Sequence, residues 1–452
     1  VTTTSEPRLG YWINDADNHF NEPPDCFERY IDPTKADLAI RSVTGPDGEQ
    51  MQLFAGKPSK FHSRHVTFSE EELKKLLGDT SNIGMGRSAV PAFVAAASAD
   101  PDEEVDIRAI PGMLLTRLNP LKGLNEEQRK EFIAEFRHKS EAFGNRDLRL
   151  ALMDDQGIDK ALMFPAAAHD IEYEFADNIP ALYANIRAFN RWMHDEVGYV
   201  AQRRMFLPPY IALADPDLAV AELEQVIDDG ATLIQIKSGH AHGGAHNPSG
   251  GRSLADPVFD RFWSIVNETE LRLTVHLGGT DYQKYGADWS EDPETVFGDF
   301  DAFQWMMYWG DRPAMELTAG LILGNFFGRF PKIKVCLSEM GTVWVPYTMR
   351  KMDHAFLMGR AIKWSESGRL DRRPSEIFRE HFVVAPYPEE NVQRVVAEVG
   401  IEPIVFGSDF PHGEGLAFPD QYVGAQLASF TEDDQRRIMR DNLENFLAPA
   451  LR

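Results

Sequence analysis

Five side chains stand where a chain of alternating strands and helices could gather them around a metal ion: Asp17, His19, His276, Glu339 and Asp409. Each lies at or just past the C-terminal end of a short apolar run. The first run closes in Asp15-Ala16-Asp17-Asn18-His19, and strand alternation predicts that Asp15, Asp17 and His19 share one face. His276 ends the fifth run, Ser338-Glu339 follows the sixth, and Gly407-Ser408-Asp409-Phe410-Pro411-His412 follows the eighth. A single strand-end carboxylate is more often a helix cap, and a single histidine more often a hydrogen-bonded core residue. Several carboxylates in one low-dielectric cavity are different, because their mutual repulsion is severe without a cation. The set therefore predicts a metal centre. Its mix of imidazole and carboxylate favours iron, with manganese or zinc as alternatives, and it is large enough for two ions. Asp409 and Glu339 are also the candidate catalytic groups. Glu22, Lys237 and His412 are candidates either to bind metal or to hold the residues that do.

The elements that must position these groups can be read from the same pattern. Apolar runs at 11–16, 160–164, 205–211, 233–236, 271–276, 333–337, 382–385 and 404–406 alternate with amphipathic stretches. Eight such runs predict an α/β fold, the (β/α)8 TIM barrel, as one domain over 1–452. In 181–197, Leu182, Ile186, Phe189 and Met193 recur at helical spacing and Gly198 stops the run, as a crossover helix would. The interval 33–150 is too long for one loop. With Ser69 and Glu72 as a capping pair and a second amphipathic stretch at 125–143, it predicts an inserted helical cap after strand one. A second excursion, 278–313, is rich in aromatic residues and follows the strand that carries His276. It predicts an active-site loop in which Trp305, Met306, Tyr308 and Trp309, with Phe164 and Trp344, wall an apolar substrate. The glycine-rich loop 239–251 holds His240, His242 and His246 but no rigid scaffold, and it predicts a mobile loop, not a ligand site.

Composition excludes several classes of function. The chain has 452 residues, with 46 Lys and Arg against 71 Asp and Glu, a formal net charge of −25. That field repels phosphate backbones and anionic lipid, so neither nucleic acid nor membrane is an expected partner. Cys26 and Cys336 alone cannot build a disulfide framework or a four-thiolate cluster, which fits a reducing cytoplasm. The first ten residues lack the apolar core of a signal peptide, and no uncharged apolar run approaches the ~20 residues of a membrane span. No Walker A, Rossmann or Gly-x-Ser-x-Gly pattern follows a predicted strand.

The motifs quoted above, with Arg329-Phe-Pro-Lys-Ile-Lys-Val335 leading to Glu339, resemble the amidohydrolase-related TIM barrels, specifically the decarboxylase-like branch. The family's usual His-x-His aligns with Asp17-x-His19 and its strand-six histidine with Glu339, while the strand-five histidine and strand-eight aspartate carry over as His276 and Asp409. Lys237 falls on the strand whose lysine is a carboxylated bridging ligand in binuclear members. A smaller group with the same Asp-x-His and strand-six glutamate, the TIM-barrel non-haem diiron monooxygenases of platensimycin and platencin biosynthesis, is similar too. That resemblance implies an enzyme hydroxylating an apolar, CoA-linked diterpenoid-type acyl substrate with O2, two iron ions and a separate electron donor or reductase. The alternative it leaves is a metal-dependent hydrolase or decarboxylase, and a catalytically inactive binding module is a third. The sequence leaves room for a homo-oligomer.

Overall fold

The computed structural model describes residues 7–44, 50–58, 110–165, 171–242, 250–278, 289, 302–303, 306, 311–364 and 368–451. Seven barrel strands run in chain order: β1 (Ile13–His19), β2 (Ile158–Phe164), β3 (Met205–Phe206), β4 (Leu233–Ile236), β5 (Arg272–His276), β6 (Val335–Ser338) and β7 (Phe382–Val384). Their ladders form two parallel sheets, β1–β2–β3 and β4–β5–β6–β7, and a short antiparallel strand, Val200–Ala201, edges the first. Isolated bridges carry the pairing from one sheet to the other. Tyr210 bridges to Gln235 on one side, while on the other the eighth segment, residues 404–410, bridges Val384 through Ile404 and Asn18 through Phe410. The cyclic order is that of the (β/α)8 fold predicted from the runs.

Inside this ring lie Ala16, Leu162, Phe164, Phe206, Leu233, Cys336, Ala385 and Val405, packed with Leu443, Phe446 and Leu447 of the C-terminal helix Asn442–Leu447. Arg272, at the start of β5, donates to the Phe446 carbonyl at 2.6 Å. The C-terminal helix thus closes the end where strands begin, and the opposite end is left for chemistry. The predicted crossover helix is present as Ile179–Trp192, capped by the Asn178 side chain, with Leu182, Ile186 and Phe189 fully buried. It widens into a π-helical turn at Met193–Val197 before Gly198, whose φ of 87° ends it.

The described part of the 33–150 insert is mixed where helices alone were predicted. Ile40–Thr44, Gln50–Phe54 and Lys57–Pro58 form an antiparallel sheet, as their β-branched and alternating residues favour. The helix Glu126–Lys139 starts in a reciprocal capping pair, Asn125 with Gln128, at 3.0 and 2.9 Å. The predicted Ser69–Glu72 cap lies outside the described residues.

Candidate metal centre

β1 is an unusual strand, because all seven of its residues are buried and five of them are polar. Its pairing explains how. Register with β2 holds at Asp15 with Ala161 and resumes at Asn18 with Met163, so β1 carries one extra residue between. Such a bulge breaks the two-residue alternation. Asp17 and His19 fall in metal-capable groups and Asp15 does not, which corrects the common face predicted for all three. The Asp15 carboxylate instead accepts from the Ser408 N–H at 2.9 Å, the Ser408 hydroxyl at 2.6 Å and the Asn18 amide at 2.9 Å. It braces β1 against the turn that carries Asp409.

The two strand-end histidines have fixed tautomers. His19 Nδ1 donates to the Phe164 carbonyl at 3.0 Å, and His276 Nδ1 donates to the Leu277 carbonyl at 2.7 Å. A carbonyl oxygen only accepts, so each neutral ring presents a lone pair at Nε2. His19 Nε2 lies 3.0 Å from Asp409 Oδ1 and 3.7 Å from Asp17 Oδ1; His276 Nε2 lies 3.4 Å from Asp17 Oδ1 and 3.2 Å from Glu339 Oε2. Lone pairs facing carboxylates repel unless a cation or a proton stands between them. Neighbouring donors in a tetrahedral or octahedral shell with ~2.1 Å bonds are ~3.0–3.4 Å apart, which is close to these spacings. Asp17 Oδ1, held between the two imidazoles, is buried and makes no hydrogen bond. The donor set fits a divalent metal ion.

Two backbone features hold the carboxylates in place. Glu339 just after β6 and Asp409 near the end of the eighth segment have φ of 53° and 54°, in the left-handed region that non-glycine residues seldom adopt. Glu339 is fixed by the Tyr387 hydroxyl, which donates to its carbonyl at 3.0 Å, and Asp409 by its own N–H, which donates to the Asp17 carbonyl at 2.7 Å. Gly407 allows this closeness, since a Cβ there would meet the Asp17 Cβ at 2.7 Å. Burial, then the Asp409 and Asp17 charges, push Glu339 well above the ordinary carboxylate range. Burial and the Asp17 charge push Asp409 up in the same way. These are the shifts that a bound cation reverses.

Of the remaining predicted residues, His412 joins the centre. Its Nδ1 lies 2.7 Å from Asp409 Oδ1, its ring stacks on His19 at 3.8 Å between centroids, and it groups with His19, Glu339 and Asp409 as a possible metal holder. Lys237 is buried one residue beyond β4, beside His276 by strand register, and Glu22, buried on the loop after β1, falls in no metal-capable group among the described residues. Phe164 lies against the centre, 4.7 Å from the His276 ring. Trp344 is in the core: its indole N–H donates to the Met340 and Gly341 carbonyls, and its ring packs on Phe378. Met306 is exposed, and Trp305, Tyr308 and Trp309 lie outside the described residues, as does His246. Sequence reasoning missed Arg149. The only signal was a charge at the spacing of the buried Leu152 and Met153 while Leu148 faces solvent.

The amidohydrolase family model matches residues 138–447, more than half of the chain. The chain belongs to the amidohydrolase family. The match includes His276, Glu339, Asp409 and His412, while Asp17 and His19 precede it. Among solved structures, an amidohydrolase from Mycobacterium avium subsp. paratuberculosis K-10 is similar over 97% of this chain and 99% of its own, at 26% identity and a TM-score of 0.72. A 2,6-dihydroxybenzoate decarboxylase from Rhizobium matches 72% of this chain and 93% of its own at 21% identity, TM-score 0.51. A dihydroxybenzoic acid decarboxylase from Polaromonas sp. JS666, solved with bound manganese and 2-nitroresorcinol, matches 73% and 92% at 19% identity, TM-score 0.51. These relatives overturn the expectation of an oxidoreductase, the diiron monooxygenase of antibiotic terpenoid biosynthesis, and agree with the hydrolase or decarboxylase alternative. Among the described residues no helix is long and apolar enough to cross a membrane.

Proposed function

We propose that this amidohydrolase-family protein is a metal-dependent decarboxylase of a carboxylated small molecule. The observation that carries the proposal is the convergence of two Nε2 lone pairs with the Asp17, Glu339 and Asp409 carboxylates at the end of the barrel where strands finish. Asp17, His19, His276 and Asp409 would hold one divalent ion, manganese before iron for this oxygen-rich set, and that ion would polarise a substrate oxygen. Glu339, whose carboxylate lies 3.2 Å from His276 Nε2 and is not among those four ligands, would be the acid that donates a proton to the carbon that CO2 leaves. His412 orients Asp409 through its Nδ1.

Hydrolysis is the second reading, favoured by the same Asp409–His412 pair, which is placed to accept a proton from an attacking water. One experiment separates the two. Manganese-loaded protein is incubated in D2O with a panel of hydroxybenzoates and, separately, of esters, lactones and amides. CO2 release with deuterium at the vacated carbon supports decarboxylation; cleavage of the second panel alone supports hydrolysis. Activity on neither panel, with manganese bound, overturns both.

A further inference from the structure

Arg149 lies on the helix Arg146–Gln156 that leads into β2, and it is completely buried. Its Nη2 donates to the Asn18 side-chain oxygen, to the His19 carbonyl at 2.9 Å and to the Phe410 carbonyl at 3.5 Å, and the guanidinium carbon sits 4.7 Å from the Phe410 ring centroid. Its Nη1 and Nε are buried and make no hydrogen bond. Asn18 passes the connection on to Asp15, and Asp15 passes it to Ser408. Apart from Asp15, two residues before Asp17, every residue held this way is a chain neighbour of a candidate ligand, or is one. Asn18 lies between Asp17 and His19, and Ser408 and Phe410 flank Asp409.

An arginine that only filled space here would be a poor choice. A buried cation with two unfilled nitrogens costs stability that an apolar side chain of similar volume would avoid. Its position accounts for the cost, because it is the group that ties the end of β1 to the eighth segment. We propose that Arg149 is a positioning residue of the metal centre, clamping the backbones of His19 and Phe410 so that ligands from two separate strand ends converge on one ion.

The proposal rests on the metal-centre reading, so its test starts from the unaltered protein. The full chain, stripped with EDTA, is titrated with Mn2+ alone, and melting in EDTA serves as the fold control. Arg149→Met is expected to raise the Mn2+ Kd about ten- to a hundredfold, the usual scale for groups that orient ligands. A lower melting temperature with an unchanged Kd overturns the proposal, since that is what simple core packing predicts. If Arg149→Met does not fold, Arg149→Lys carries the test: its shorter ammonium cannot hold both strand ends, so the Kd is expected to rise at least about threefold. A parental Kd in that variant overturns the proposal too. Failure of the parent itself to bind Mn2+ removes the centre, and the proposal with it.

Discussion

Asp17 Oδ1 is the atom whose surroundings most need a cation, being buried between two imidazole lone pairs with no hydrogen bond. In Asp17→Asn an amide replaces it, and the Mn2+ Kd is expected to rise at least about tenfold while the far-UV circular dichroism stays parental. Glu390 gives an independent pH prediction away from the ligands. Burial pushes its carboxyl up to about 7 from 4.5, against the pull of hydrogen bonds from Thr342. Between those values the folded chain keeps a proton that the unfolded chain has lost, so this group makes stability fall as pH rises from 4.5 to about 7. Glu390→Gln should therefore melt higher than the parent at pH 8 and close to it near pH 4.5, a difference on the order of 3 kcal/mol or less at ~1.36 kcal/mol per unit. The five ligand candidates were legible in the sequence because strand ends announce themselves by apolar runs. The separation of Asp15 from Asp17 was not, since a bulge depends on pairing with β2 and leaves no mark in β1 alone.

At the scale of elements, the insert reaches the centre through backbone contacts that composition does not reveal. Leu114 N–H donates to the Gly413 carbonyl at 2.8 Å, which lays this part of the insert along the loop that carries His412. Glu389, after β7, accepts from the N–H groups of Arg117 and Leu118, and the Arg117 guanidinium donates to the Glu389 carbonyl at 2.7 Å. Glu389→Ala leaves those donors unpaired, at a cost of about 1–3 kcal/mol. Hydrogen exchange should rise over residues 110–124 while Mn2+ affinity stays within about threefold, because no candidate ligand is touched. Faster exchange spread over the whole barrel would contradict this local anchoring. The strand runs gave the element order correctly, since parallel strands buried on both faces are written as continuous apolar residues. The helical expectation for the insert failed where 40–58 pairs as an antiparallel sheet, a non-local arrangement that single-segment periodicity does not report.

For the whole molecule, the −25 net charge agrees with a protein whose ligands include a cation and not a polyanion. The corrected activity shows where motif reasoning stops. Asp-x-His, a strand-six glutamate and a strand-eight aspartate place donors around an ion, but one fold and one donor set serve several chemistries. What the fold specifies is the cage. Metal content per chain is therefore the measurement that tests the account most directly, made after stripping, reloading with excess Mn2+ and desalting. The account predicts close to one ion per chain in the parent, and its loss from His276→Ala and Asp409→Asn at parental circular dichroism. A parent that retains no ion, or both variants retaining the parental content, would contradict it.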